Sequence, residues 1–185
     1  MTVRFALAAL AAPVLLAACA SAPRETPVDN AALPEAVRVP AGQTQVMTTV
    51  GKGEITYECR VKKDNAAAHE WVFVAPVASL AATDGRIVGK YYAGPTWESN
   101  DGSKVTAKQV AVAPATPGAI PLQLVKADPA QGAGAMQGVS YIQRLRTVGG
   151  VAPSERCDAA AVGQRRQVAY QVDYVFYKAA APKAY

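Results

Sequence analysis

The chain has 185 residues, 51% of them hydrophobic, and a formal net charge of +5. That length suits one ordinary domain with a real core. The basic residues are scattered, with Lys62-Lys63 and Arg165-Arg166 as the doublets; this is the pattern of a solvated surface, not of a nucleic-acid footprint, and leaves only a mild pull toward anionic lipid or polysaccharide.

Residues 1–18 read as a targeting segment. Arg4 supplies the charged start, and Phe5 to Ala18 is an apolar run interrupted by Pro13, too short to span a bilayer comfortably. Its end, Leu16-Ala17-Ala18-Cys19, resembles the bacterial lipobox, which implies cleavage before Cys19 and acylation of that cysteine. The competing reading is an ordinary secretory signal in which Cys19 is a bystander. Each buried acyl CH₂ contributes about 0.8 kcal/mol, so several chains would make a firm membrane anchor. Ala20 and Ser21 stand where inner-membrane lipoproteins carry an aspartate. By that analogy the destination is the outer membrane, facing the periplasm or the cell surface.

Residues 19–43 hold Pro23, Pro27, Pro34 and Pro40 among small residues without a sustained period. They read as a lipidated N-terminus and flexible tether, with Leu33, Val37 and Val39 able to pack on the domain edge. Residues 44–185 form the expected single domain.

Strand signals follow one another along that domain. Ile55, Tyr57, Cys59 and Val61 alternate with Glu54, Thr56, Glu58 and Arg60, the period of a half-buried strand with Cys59 inward. Residues 70–75 form a short apolar strand that Pro76 is expected to end. Residues 77–82 are ambiguous between strand and helical turn. Thr83-Asp84-Gly85 is a turn, and residues 86–92 are a strand. In residues 103–113, Lys104, Thr106 and Lys108 alternate with Val105, Ala107 and Gln109. Residues 122–126 and 139–148 give two more strands, with loops of Gly, Ala and Pro around them. The longest alternation is the last: Val168, Tyr170, Val172, Tyr174 and Phe176 share one face. Such strands without a helical period predict an all-β fold, a single-domain antiparallel β-barrel or β-sandwich. A barrel is favoured because closure removes exposed sheet edges.

With Cys19 assigned to lipid, Cys59 and Cys157 remain, and an oxidising compartment predicts a disulfide between them.

The set Tyr57-x-Cys59, Trp71-x-Phe73-x-x-Pro76, Gly94-Pro95-Thr96-Trp97, Asp101-Gly102-Ser103, Ile142-Gln143-Arg144, Thr147-x-Gly149-Gly150 and the strand from Tyr170 to Tyr177 occurs in order. It resembles the bacterial and fungal domain-of-unknown-function family numbered 3455, across roughly residues 44–178. The resemblance implies an exported single domain and carries no activity. Where the family pattern has a histidine ahead of Gly-Pro-Thr-Trp, this chain has Tyr91.

The densest run of special residues is 85–103, read as a strand that breaks into a shaped loop. Gly94-Pro95 constrains the backbone and Asp101-Gly102 is a turn pair. Tyr91, Tyr92, Trp97, Glu98 and Asp101 are the candidate ligand-binding residues, an aromatic platform beside carboxylates that suits a glycan or another small molecule. The alternative is purely geometric: Trp97 plugs the barrel end and Asp101 caps a turn. In residues 139–148 neither face is cleanly apolar. Either Gln143 and Thr147 line a polar interior, or Arg144 enters a pocket. Gln143 and Arg144 therefore join the candidates.

These features point to a lipid-anchored envelope protein that is a binding or structural module, leaning away from enzymatic. The alternative is an extracytoplasmic hydrolase acting on glycans through Glu98 with Asp101, or Asp84 with either. His69 is the single histidine, and the chain has no metal-ligand spacing, Cys-x-x-Cys pair or phosphate loop, so no metal or cofactor is expected.

Overall fold

The computed structural model describes residues 26–181. Eight strands, each antiparallel to its neighbour, close into a barrel in chain order. They are β1 (Gln43–Lys62), β2 (Asn65–Ala81), β3 (Ile87–Tyr92), β4 (Thr96–Ser99), β5 (Lys104–Ala113), β6 (Leu122–Ala127), β7 (Val139–Gly149) and β8 (Arg165–Ala179). β1 closes the ring on β8, from Gln43 opposite Ala179 to Glu58 opposite Arg165. Of the two expected all-β architectures the barrel is the one formed. The predicted Cys19 lipidation site lies outside the described residues.

The inward residues follow the predicted period. On β8, Tyr170, Val172, Tyr174 and Phe176 enter a core with Ile55, Tyr57, Leu80, Trp97, Val105 and Ile142. Gly51 faces Tyr174 across the closing seam; a Cβ there would stand 2.8 Å from the tyrosine ring, so a side chain would compete with it for the interior.

Two local expectations are corrected and one open alternative is resolved as strand. Pro76 does not end a strand: β2 runs through it to Ala81, with Pro76 opposite Ile55 beside a register shift between Thr56 and Tyr57. A proline lacks the N–H for a regular ladder and is accommodated where pairing is irregular. The ambiguous residues 77–82 belong mainly to the same strand, and Ala78 and Leu80 are core. The run 85–103 is not one open loop, because Thr96–Ser99 forms β4, paired with β3 and β5.

The expected flexible tether is corrected from residue 28 onward, while Leu33, Val37 and Val39 pack on the domain edge as expected. Two short 3₁₀ turns, Asn30–Ala32 and Glu35–Val37, shape a strap that lies on the outer face of the barrel. Val37 and Val39 are buried against Ala113, Leu124, Leu145, Val175 and Tyr177. The Asn30 side chain clips the strap, accepting from the Val39 N–H and donating to the Val39 carbonyl, both at 2.9 Å. This explains why residues 172–177 of β8 are all buried: one face looks into the barrel and the other lies under the strap.

Cys59 and Cys157 are joined, as predicted, across 98 residues of sequence. A loop of that length corresponds to roughly 4.7 kcal/mol at most in the chain-entropy picture. The bond pins the β7–β8 connection to the ribbon of β1 and β2. The Cys59 N–H donates to the Gln164 carbonyl at 3.0 Å, and Trp71 Nε1 donates to the Glu155 carbonyl at 2.8 Å.

Candidate functional site at the barrel mouth

The two barrel ends differ. At one end the β6–β7 connection is drawn inward and Met136 is buried. Asp101 fixes this closure. It accepts from the Ser103 N–H at 2.9 Å, the Ser103 hydroxyl at 2.6 Å and the Ala135 N–H at 2.8 Å. Ser103 Oγ in turn accepts from the Met136 N–H at 3.1 Å. The Ser103 hydroxyl, then the backbone donors, hold the Asp101 carboxyl far below the usual carboxylate range. A Cβ on Gly134 would lie 2.5 Å from that carboxylate, so the close approach requires glycine.

The opposite end is open. A cavity of about 390 Å³ enters the barrel there, within the range of small-molecule sites. Its walls differ in chemistry. Phe73, Val74 and Pro76 from β2 and Ala93, Gly94 and Pro95 from the β3–β4 turn make one side apolar. Gln109, Gln123 and Arg144, on adjacent strands β5, β6 and β7, make the other side polar and cationic. Tyr91 also lines the cavity and packs on the aromatic residues beneath. Its ring centroid is 4.8 Å from Trp97 and 5.1 Å from Tyr174, and these two meet edge to face at 5.4 Å.

Arg144 enters the barrel on the same face as Tyr174, its register partner on β8. Its Nε and Nη2 donate to the Pro121 carbonyl at 3.1 and 3.0 Å. Among the described residues no carboxylate pairs with it, and none lines the cavity. Burial pushes the Tyr91 and Tyr170 phenols up, Tyr170 to about 12, and the Arg144 cation partly opposes this for both. Gln123 Nε2 donates to Gln109 Oε1 at 2.7 Å, tying the polar wall together.

The candidate residues are therefore separated by the fold. Tyr91 and Arg144 meet at the cavity, with Gly94-Pro95 on its rim. Trp97 is only 1% exposed and fills the interior, so its ring is not an exposed platform. Asp101 caps at the closed end. Tyr92 and Glu98 lie on the outer wall, where the tyrosine hydroxyl donates to Glu98 Oε2 at 2.6 Å and Lys90 pairs with Oε1 at 3.1 Å. The Tyr92 hydrogen bond, then Lys90, lowers the Glu98 carboxyl. Asp84, in the β2–β3 turn, is committed to Arg86. Gln143 points away from the barrel interior and is buried beneath the strap. Its Nε2 donates to the Val37 carbonyl at 2.7 Å, and its Oε1 accepts from the Tyr177 hydroxyl at 2.8 Å.

Gln109, Gln123, Phe73 and Pro76 complete the cavity and were not among the sequence candidates. The signal for Gln109 was its place on the apolar face of residues 103–109, beside Val105 and Ala107. An amide on an inward face is a natural mark of a wet interior. Gln123 holds the same position relative to Val125.

A family model described as "Protein of unknown function (DUF3455)" matches residues 40–178, which take in the cavity, the disulfide and nearly all of every strand. No curated protein and no solved structure matches the chain.

Proposed function

The chain belongs to the DUF3455 family, whose description names no activity, and from the geometry of its own site we propose that it is a non-enzymatic binding module taking a small, largely apolar molecule into the barrel mouth. The observation that carries this reading is a cavity walled by Phe73, Pro76, Pro95 and Tyr91 and, among the described residues, lined by no carboxylate. Hydrolysis of a glycan would need two carboxylates across one cleft; Glu98 and Asp101 are instead spent on the outer wall and the closed end. The lipobox ending in Cys19 supports a place in the cell envelope: the barrel would hang from an acylated cysteine at the outer membrane, on the periplasmic side or the cell surface. The membrane, through that lipid, and the ligand in the mouth are then its partners.

Ala107 faces the cavity from β5 and is small. Ala107→Phe would fill the space without adding charge. Melting the purified full-length chain with saturating 2-naphthoic acid or its amide should raise the melting temperature, as binding to the native state alone must. The Phe variant should abolish the rise. A rise that persists in the variant, or no rise with either compound, would refute a ligand site in the mouth. For the anchor, cells fed a palmitate analogue should label the wild-type chain and not Cys19→Ala; equal labelling of the two would exclude that cysteine.

A further inference from the structure

Resting on the mouth as a binding site, we infer that its ligand is a compact organic anion, a ring-bearing carboxylate whose charge is read by Arg144 and whose apolar body lies against Phe73 and Pro76. Three observations lead there. First, the guanidinium is a cation without a carboxylate partner among the described residues, set in the wall of a half-enclosed cavity. Half-buried at the mouth, it stays charged without a protein partner and stands within reach of an anion entering the cavity. Two donors on its Nε edge are used on the Pro121 carbonyl, which orients the group and leaves the rest of its five N–H donors for a ligand. A planar fork with free donors is matched to a carboxylate.

Second, polar and apolar walls face each other, so a molecule with one charged edge and one apolar face satisfies both. Gln109 and Gln123 add amide groups beside the cation.

Third, the floor limits length. Below Tyr91 the barrel is filled by Trp97 and Tyr174, each 1% exposed, and by Phe176, which is fully buried. A long acyl tail has no channel to follow. The buried Tyr174 and Tyr170 hydroxyls and Trp97 Nε1 have no hydrogen-bonding partner among the described residues, so polar groups without protein partners lie beneath the cavity.

The test compares three probes by calorimetric titration of the purified full-length chain: 2-naphthoate, its uncharged amide 2-naphthamide, and dodecanoate. Naphthoate should bind at least about tenfold more tightly than the amide, since a charge-assisted hydrogen-bonded pair exceeds the 1.4 kcal/mol that tenfold represents. Arg144→Met keeps the bulk of the stem and should cost the acid at least about tenfold and the amide much less, removing the preference between them. Arg144→Lys, retaining the charge, should recover part of the preference. Dodecanoate should bind more weakly than naphthoate. If acid and amide bind equally, and Ala107→Phe abolishes both, the anion preference is wrong while the mouth remains a site. If dodecanoate binds more tightly than naphthoate, the compact-ring assignment is wrong. If none binds, the ligand class and the site on which it rests both fall.

Discussion

Trp97 shows how one side chain can look exposed for function in the sequence and prove structural. It follows Gly94-Pro95 and precedes Glu98, yet its place on β4 turns it inward, where Tyr91 and Tyr174 enclose it. Its indole N–H is buried without a partner among the described residues. That donor is a cost, because an unsatisfied buried polar group forfeits about 1–3 kcal/mol of solvation. Trp97→Ala should therefore destabilise by about 3–5 kcal/mol through the cavity it leaves. Trp97→Phe should cost much less, within about 1 kcal/mol, since the lost ring area is offset by removal of the unpaired donor. Urea unfolding of both variants measures this. A Phe variant as unstable as the Ala variant would mean that the indole N–H is satisfied.

At the scale of elements, the strap and β7 depend on one another through Gln143. The sequence of residues 139–148 resisted assignment to an inner and an outer face, and the reason is physical: from Ile142 to Leu145 both faces are covered, and beyond Leu145 the alternation is broken at Arg146, which has a positive φ beside a register shift. Arg144 enters the barrel, while Gln143 and Leu145 are covered from outside by residues 28–39. Period-two reasoning assumes one wet face. The strap was legible in part: its apolar Leu33, Val37 and Val39 marked it to pack on the domain edge, where Val37 and Val39 are buried. Its prolines and alanines read as tether, whereas its order comes from Asn30 reaching Val39 and from Gln143 reaching Val37. Gln143→Ala would leave the Val37 carbonyl and the Tyr177 hydroxyl short of a partner, at about 1–3 kcal/mol for a buried group so stranded. The expected result is selective release of the strap: limited proteolysis cuts faster within residues 26–39 while the disulfide-linked barrel stays resistant. Uniform acceleration of cleavage across the barrel would mean that Gln143 supports the whole fold instead.

For the whole molecule, the barrel, its closing strand and its disulfide were legible because alternation and compartment chemistry are local signals. The site was legible in part. Tyr91, Arg144 and Gly94-Pro95 could be singled out residue by residue, but bringing them opposite Phe73 and Gln123 required the ring to close and β5 to shift register between Gln109 and Ala111. That closure has a consequence for pH. The barrel gathers tyrosines inside or under cover, and burial raises Tyr57 and Tyr91, raises Tyr174 strongly, and carries Tyr170 and Tyr177 to about 12. An unfolded tyrosine ionises near 10. The native state thus keeps protons that the unfolded chain gives up, so the stabilisation is fully present below pH ~10 and is lost as pH rises toward 12. Tyr170 and Tyr177, raised to about 12, each contribute on the order of 2–3 kcal/mol to that loss. Phenolate absorbance of the buried set should consequently rise only well above pH ~10, together with loss of sheet signal. Tyr174→Phe keeps the buried ring and removes its ionisable hydroxyl, so it should not lower stability at pH 7 and should move the alkaline transition upward. Tyrosines that all ionise near pH 10 with the sheet intact would contradict a buried phenol interior, and an unmoved transition in the Phe variant would remove Tyr174 from its cause.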